Sequence, residues 1–190
     1  EAGHAVCAHV LDHVSPVHQV TIVPRGRAGG FTMQLPVEDK FYATKNEMKE
    51  NLIVLLGGRV AEELTLDDIS TGASNDLERV ASTARQMVTK YGMSTKLGPM
   101  AFGDSEEEVF LGNSIGNKRN YSEEVASEID QEIRSIVDTA YKKTRTLLND
   151  NMDRLEYVAQ ALLIYETLDA EQFIKAFNKE LDLTPKQETA

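Results

Sequence analysis

The chain has 190 residues, of which 41% are hydrophobic and 27% are charged, and its net charge is -11. Its length and apolar content suit one compact domain or two small ones. The negative charge argues against nucleic acid or anionic lipid as a partner, because both bind to basic surfaces. A single cysteine, Cys7, excludes a disulfide within the chain. The longest uninterrupted apolar run, residues 52–56, is too short to span a membrane, and no G-x-x-x-x-G-K-[ST] phosphate loop occurs.

The chain opens on E-A-G-H-A, which matches the later part of the zinc-protease pattern H-E-x-x-H. Residues 1–14 are predicted to form a helix that ends before Pro16, with Glu1 and His4 on one face. In the full pattern two histidines hold the metal and the glutamate is the general base. The first histidine would precede Glu1, so we expect the chain to be a piece of a longer protein. Taken alone, E-x-x-H also fits an ordinary solvated glutamate and a helical histidine.

Two short strands are predicted after this helix. Residues 17–23 are rich in β-branched side chains, and residues 31–35 alternate apolar and polar side chains up to Pro36. Together they indicate a small sheet beside the first helix.

Five further helices are predicted from their capping residues and apolar periodicity. The residues that begin them are Thr44 with Glu47, Asn75 with Glu78, Ser122, Asn151, and Asp169 with Gln172. Gly57 and Gly58 lie inside the first of these helices, where such a pair indicates close packing or a kink. Asp76 falls in the first turn of the next helix, where an acidic side chain complements the helix dipole.

The predicted fold class is mainly α, with a small β-sheet near the first helix and a helical bundle at the C-terminal end. We expect one domain over residues 1–180. It would consist of a half with the small sheet, residues 1–92, and the bundle, residues 121–180, followed by a polar tail at residues 181–190.

The irregular segment between the two halves contains an acidic run, residues 104–108, and a G-x-S-x-G match, residues 112–116. The second pattern is the nucleophile elbow of serine hydrolases, in which the histidine base follows the serine. All four histidines of this chain precede Ser114. A serine hydrolase is therefore the weakest of the alternatives.

Seven stretches, in this order, resemble the protease domain of the FtsH family of membrane-anchored, ATP-dependent zinc metalloproteases. They are E-A-G-H-A from Glu1, V-T-I-V-P-R-G-R-A from Val20, G-G-R-V-A-E-E from Gly57, S-T-G-A-S-N-D from Ser70, L-G-P-M from Leu97, E-V-F-L-G from Glu108 and I-D-Q-E-I from Ile129. The resemblance covers residues 1–178.

The resemblance implies a zinc endopeptidase with named site residues. Glu1 matches the general base of the family motif H-E-A-G-H, and His4 matches its second zinc ligand. The third ligand is the aspartate that ends S-T-G-A-S-N-D, which is Asp76 here. Glu62, in the G-G-R-V-A-E-E stretch, matches a glutamate near the site and is a candidate for supporting the ligands without touching the metal.

In the mechanism that the resemblance implies, bound Zn²⁺ would supply Lewis-acid chemistry to a water molecule, and Glu1 would take the proton of that water and pass it to the leaving amine. An extended substrate could pair with the backbone of the second predicted strand. The residues concerned are Phe31, Thr32, Met33, Gln34 and Leu35.

The resemblance also implies polypeptide substrates, namely unfolded or misfolded membrane proteins and short-lived soluble ones. It implies a homo-hexameric ring under an ATPase ring, at the cytoplasmic face of a bacterial inner membrane. ATP would act only through an ATPase domain outside this chain, and the piece itself is expected to be soluble. The alternative is a non-catalytic ring-assembly module with an incomplete metal site, because His4 and Asp76 are two ligands rather than three.

Overall fold

The structure, a computed structural model, describes residues 1–26, 29–36, 41–66, 68–102 and 121–184. In chain order its elements are α1 (Ala2–Val10), β1 (Val17–Thr21), β2 (Phe31–Gln34), α2 (Lys45–Thr65), a 3₁₀ helix (Thr71–Ala73), α3 (Ser74–Thr89), α4 (Glu123–Asp150), α5 (Met152–Tyr165), β3 (Thr167–Asp169) and α6 (Ala170–Phe177). The predicted fold class, mainly α with a small sheet, is confirmed. The acidic run, the G-x-S-x-G match and residues 185–190 of the predicted tail lie outside the described residues.

Helix α2 is the central element, and α1, α3 and α4 pack around it. Its start confirms the predicted capping box, since the Thr44 hydroxyl oxygen accepts a hydrogen bond from the Glu47 N–H and the Glu47 carboxylate accepts one from the Thr44 N–H. Because α2 has neighbours on several sides, its buried apolar residues are not confined to one narrow stripe. They are Leu52, Ile53, Val54, Leu56 and Val60.

Two glycines allow α1 and α2 to approach closely. A Cβ atom added to Gly57 would lie 2.7 Å from the carbonyl oxygen of Gly3, and one added to Gly3 would lie 2.3 Å from the carbonyl oxygen of Gly57. Any side chain at either position would force the helices apart. Of the two roles predicted for the glycine pair of α2, close packing or a kink, the structure shows close packing.

The sheet is antiparallel, with the strand order β2–β1–β3, so β2 is an edge strand. The sequence patterns predicted β1 and β2 but missed β3, because three residues are too few to show an alternating pattern. Val20 of β1 and Leu168 of β3 are fully buried, together with Phe173 of α6. The sheet is thus joined to the main core next to α1.

Helix α1 ends at Val10, earlier than the predicted end at Val14. The reason is a contact with α2. The backbone N–H of His13 donates a hydrogen bond to the Glu50 carboxylate, with 2.7 Å between the nitrogen and the oxygen, instead of continuing the helical pattern. The His13 ring nitrogen Nδ1 lies 2.7 Å from the other oxygen of that carboxylate.

Both predicted strands are shorter in the structure. Strand β1 ends at Thr21 rather than Val23, because the Val23 N–H donates to the Thr21 hydroxyl oxygen, 3.1 Å away. Strand β2 ends at Gln34, although the N–H of Leu35 still donates to the carbonyl oxygen of Pro16 at 3.2 Å.

Helices α4, α5 and α6 begin directly after the residues predicted to cap them, although the Asn151 side chain makes no capping bond to α5. The Ser122 side chain caps α4, and Asp169 and Gln172 form the capping box of α6. The division into residues 1–92 and 121–180 stays a prediction; the sheet itself takes β3 from the second of these ranges. In the described part of the chain, no helix has both the length and the apolar character needed to cross a membrane.

Candidate metal centre

The imidazole of His4 is oriented by the helix that packs against it. Its Nδ1 lies 2.7 Å from the carbonyl oxygen of Val54, which can only accept, so Nδ1 carries the proton and donates. In the neutral ring the lone pair is then on Nε2, which is the atom available to a metal. A Cβ atom on Gly58 would lie 2.5 Å from Nε2, so the imidazole occupies space that is open only because residue 58 has no side chain.

Asp76 enters the site at the start of α3. The 3₁₀ helix runs directly into α3, which begins at Ser74 behind Ala73 and has no side-chain cap. The predicted capping box of Asn75 and Glu78 is therefore wrong, because the chain is already helical at both positions. Asp76 does lie in the first turn of the helix, as predicted.

Glu62 of α2 holds the segment that leads to Asp76. Its Oε1 accepts a hydrogen bond from the Ser70 hydroxyl at 2.6 Å, and its Oε2 accepts one from the Ser70 N–H at 3.3 Å. Arg59 donates to the Ser70 carbonyl oxygen at 3.0 Å, and the Ser70 hydroxyl oxygen caps the 3₁₀ helix by accepting from the Gly72 N–H. The bond from the Ser70 hydroxyl lowers the pKa of the Glu62 carboxyl below its usual value. Glu62 is thus a charged anchor for the 3₁₀ helix.

His4 and Asp76 meet although they are far apart in sequence. Nε2 of His4 lies 3.5 Å from Oδ2 of Asp76, and the side chains are 16% and 24% exposed, so solvent reaches both. The other carboxylate oxygen, Oδ1, faces Nη1 of Arg79 at 3.7 Å.

The separation of 3.5 Å between His4 and Asp76 fits a shared metal ion. A direct charge-assisted hydrogen bond would bring the two atoms to about 2.7–2.9 Å. A histidine nitrogen and a carboxylate oxygen on one tetrahedral zinc ion would lie about 3.4 Å apart, from bond lengths of about 2.0–2.2 Å. The pair therefore matches one edge of a tetrahedral zinc site.

The side chain of Glu1 lies against β2. Its Oε2 accepts a hydrogen bond from the Thr32 hydroxyl at 2.9 Å, and the same hydroxyl oxygen lies 3.4 Å from the backbone carbonyl oxygen of Glu1. A Cβ atom on Gly30 would lie 2.9 Å from Cγ of Glu1. The structure thus brings Glu1 next to the strand that is predicted to bind the substrate.

On its outer side, β2 pairs with no other described strand. Met33 and Leu35 are 37% and 46% exposed, and Leu35 lies just beyond the end of the strand. The half-buried Phe31 is covered by the guanidinium of Arg25, 5.7 Å from the ring centroid. The side-chain amide of Gln34 donates to the backbone and is directed toward the protein rather than outward.

Within the described ranges, no three side chains of His, Cys, Asp or Glu come close enough together to hold a metal ion. His4 and Asp76 provide two donors. The H-E-x-x-H pattern assigns the remaining donor to the position before Glu1.

The other three histidines have different surroundings. The ring of His9 packs on Phe177, with 4.3 Å between the centroids. His13 pairs with Glu50, which raises the pKa of the histidine above its usual value through their hydrogen bond and the carboxylate charge. His18 is exposed on β1.

The sequence motifs did not predict three contacts of the site: His4 with Val54, Thr32 with Glu1, and Ser70 with Glu62. The hydrogen bonds from the His4 ring to the Val54 carbonyl and from the Thr32 hydroxyl to Glu1 join distant parts of the chain, so no local pattern indicates them. Ser70 gives a local signal, because a serine two residues before Gly72 in a turn cluster is a typical helix-capping residue.

Most of the chain is similar to proteins of one known family. The chain matches the model of peptidase family M41 over residues 1–176. It is 66% identical over 181 residues to ATP-dependent zinc metalloprotease FtsH 2 of Alkaliphilus metalliredigens, an alignment that covers 95% of this chain and 26% of that protein. It is 60% identical over 180 residues to FtsH 1 of Thermoanaerobacter sp., covering 95% of this chain and 30% of that protein.

A further relative is ATP-dependent zinc metalloprotease FtsH of Bacillus subtilis, which is 52% identical over 173 residues, covering 90% of this chain and 27% of that protein. The chain therefore spans between a quarter and a third of the length of these relatives. The resemblance to the FtsH protease domain is confirmed by the family match, which covers nearly the whole chain: the chain belongs to peptidase family M41.

Proposed function

We propose that this chain is the zinc endopeptidase domain of a membrane-anchored, ATP-dependent protease. The observation that carries the proposal is the distance of 3.5 Å between His4 Nε2 and Asp76 Oδ2. His4 lies on α1, and Glu1 directly precedes that helix. It is further supported by the relatives, which are named as ATP-dependent zinc metalloproteases.

In this proposal His4 and Asp76 hold Zn²⁺ together with a histidine at the position before Glu1. Bound zinc supplies Lewis-acid chemistry, which polarises a peptide carbonyl and lowers the pKa of water. The carbonyl oxygen of Val54 keeps the proton of His4 on Nδ1, so that Nε2 retains its lone pair. Glu62 contributes indirectly, because it anchors Ser70 at the start of the segment that carries Asp76.

Glu1 is the proposed general base. Its carboxylate would take a proton from the attacking water and then pass that proton to the leaving amine. Among the described residues, only Thr32 donates a hydrogen bond to this carboxylate, and it does so at Oε2. Oε1 is therefore the oxygen available to the water.

The proposed substrate site is β2 with Leu35 after it. Because β2 is an edge strand, its outward N–H and C=O groups can pair with an extended peptide. Backbone pairing depends little on side-chain identity, which suits a protease that degrades unfolded or misfolded membrane and soluble proteins. The exposed side chains of Met33 and Leu35 would add apolar contacts.

The remaining partners belong to the longer protein. We propose a homo-hexamer at the cytoplasmic face of a bacterial inner membrane, with ATP acting through an ATPase segment outside these residues. The ATP dependence is supported by the names of the relatives, and a segment outside these residues is supported by the fraction of their length that the chain spans. The ring and its place at the membrane rest on the resemblance to the FtsH family.

The test is the zinc content per chain, measured on the chain extended by one N-terminal histidine. We expect about one zinc ion per chain, since the third protein ligand is then present. Asp76→Asn should lose the metal, whereas Glu78→Gln, an exposed acid on the same helix, should keep it. Glu1→Gln should keep the zinc and abolish cleavage of a labelled peptide by the full-length protein.

Two outcomes would contradict the proposal. Cleavage retained in Glu1→Gln would exclude Glu1 as the base. A folded, extended chain without zinc would favour the ring-assembly module, in agreement with the two donors that the described residues provide.

A further inference from the structure

We propose that Thr32 is a positioning residue for Glu1: its hydroxyl holds one oxygen of the general base and thereby aligns that base with the substrate strand. This inference rests on the proposed function. It starts from the hydrogen bond between Thr32 Oγ1 and Glu1 Oε2, which at 2.9 Å is the shorter of the two contacts that this hydroxyl makes with Glu1.

The donor is unambiguous. A carboxylate of a general base accepts only, so the single hydroxyl proton of Thr32 must be the one in the bond. A hydrogen bond to a charged acceptor is stronger than one between neutral groups, and this one lies in a partly buried place. The proton of Thr32 therefore distinguishes the two oxygens of Glu1, holding Oε2 and leaving Oε1 for the water.

Thr32 is also held rigidly. It lies in the middle of β2, where it is paired with Val20 of β1, and Val20 is fully buried. Threonine is β-branched, which restricts its side-chain rotation. The hydroxyl is thus fixed to the same backbone that is proposed to bind the substrate, so base and peptide would share one support.

Gly30, in the same strand region, leaves room for the Glu1 side chain. Gly30 precedes β2, and a Cβ atom there would lie 2.9 Å from Cγ and 3.2 Å from Oε1 of Glu1. The same atom would lie 2.5 Å from the carbonyl oxygen of Thr21, so the backbone cannot shift to relieve the clash. The absence of a side chain at Gly30 leaves the space for the carboxylate, and Thr32 fixes its orientation within that space.

The experiment compares Thr32→Val and Thr32→Ser in the full-length protein. Valine keeps the shape and the β-branch but loses the hydroxyl, whereas serine keeps the hydroxyl but loses the methyl group. The readouts are zinc content and the kcat and KM for a short fluorescence-quenched peptide, so that the rate reports cleavage rather than delivery. Thr167→Val, which removes a hydroxyl from β3 in the same sheet, is the matched control.

We expect Thr32→Val to lower kcat about tenfold or more, because a displaced catalytic group loses rate steeply. Its zinc content and KM should stay at the wild-type values, Thr32→Ser should recover most of kcat, and Thr167→Val should behave as wild type. The inference is overturned if Thr32→Val retains the wild-type kcat. It is equally overturned if serine is as impaired as valine, or if the loss lies in KM or zinc content, since those results indicate a packing role.

Failure of the proposed function would look different. In that case the wild-type protein would lack zinc, or Glu1→Gln would cleave the peptide. If zinc is present and Glu1→Gln is inactive, the proposed function stands whatever Thr32→Val does.

Discussion

At the scale of single residues, His4 is constrained on both ring nitrogens. The Val54 carbonyl accepts from Nδ1, while Nε2 faces Asp76 and lies over the backbone of Gly58. The position of the proposed ligand atom therefore depends on a residue that makes no polar contact with it.

Gly58→Ala tests this dependence. The added Cβ would lie 2.5 Å from Nε2, so the imidazole must move while the carbonyl of Val54 holds its other side. Since changes around a metal ligand typically cost about 10–100-fold in metal affinity, we expect the zinc affinity of the histidine-extended chain to fall by about that factor. The affinity is measured by competition with a chelator.

The control for this change is Gly29→Ala, because an added Cβ there would meet no atom of the described residues within 4 Å. Its zinc affinity should equal that of the unchanged protein. An unaltered affinity in Gly58→Ala would show that the ring can relocate without loss, contrary to the proposed role of this glycine.

At the scale of elements, the contact between α1 and α2 places the E-x-x-H helix. The two backbones touch at Gly3 and Gly57, where either added Cβ would meet backbone atoms of the other helix. Backbone atoms cannot rotate away as the end of a side chain can. This contact therefore sets the distance between His4 and the carbonyl of Val54.

Gly57→Ala should destabilise the protein by about 1–3 kcal/mol, which is the usual cost of overpacking a buried contact. The sign of the change in the free energy of unfolding is diagnostic, because a glycine-to-alanine change inside a helix otherwise stabilises the helix by about 1 kcal/mol. The free energy of unfolding is measured by urea denaturation. A variant as stable as the unchanged protein, or more stable, would show that α1 and α2 separate at no cost.

At the scale of the whole molecule, one core joins the first and last described elements. Cys7 of α1 is fully buried in the same cluster as Leu168 of β3 and Phe173 of α6. Burial raises the pKa of the Cys7 thiol to about 12. The reactive thiolate is therefore absent near neutral pH as long as this core is closed.

A thiol reagent at pH 8 should not modify Cys7 in the native protein and should modify one thiol per chain in urea. The extent of labelling should follow the unfolding transition measured by circular dichroism, because the core has to open before the thiol is accessible. The control is Ser82→Cys at an exposed position of α3, whose added thiol should react at once. Rapid labelling of Cys7 in buffer would mean that α1 leaves the core independently.

Local patterns were sufficient for much of this protein. The capping boxes at Thr44 and Asp169 and the start of α4 at Ser122 were predicted because capping uses residues only a few positions apart. The E-A-G-H-A stretch and the order of the family motifs led to the family, which the match confirms. Glu1, His4, Asp76 and Glu62 were selected by motif alone, and their roles stay proposals.

Contacts between distant parts of the chain decided the rest. Helix α1 ends at Val10 because the N–H of His13 donates a hydrogen bond to Glu50 of α2. The three residues of β3 form a strand because they pair with β1. The meeting of His4 with Asp76, and of Glu1 with Thr32, depends on how the helices and the sheet pack together. Helix capping and strand alternation act over a few residues, so they carry no information on such pairings, which arise only when the core closes.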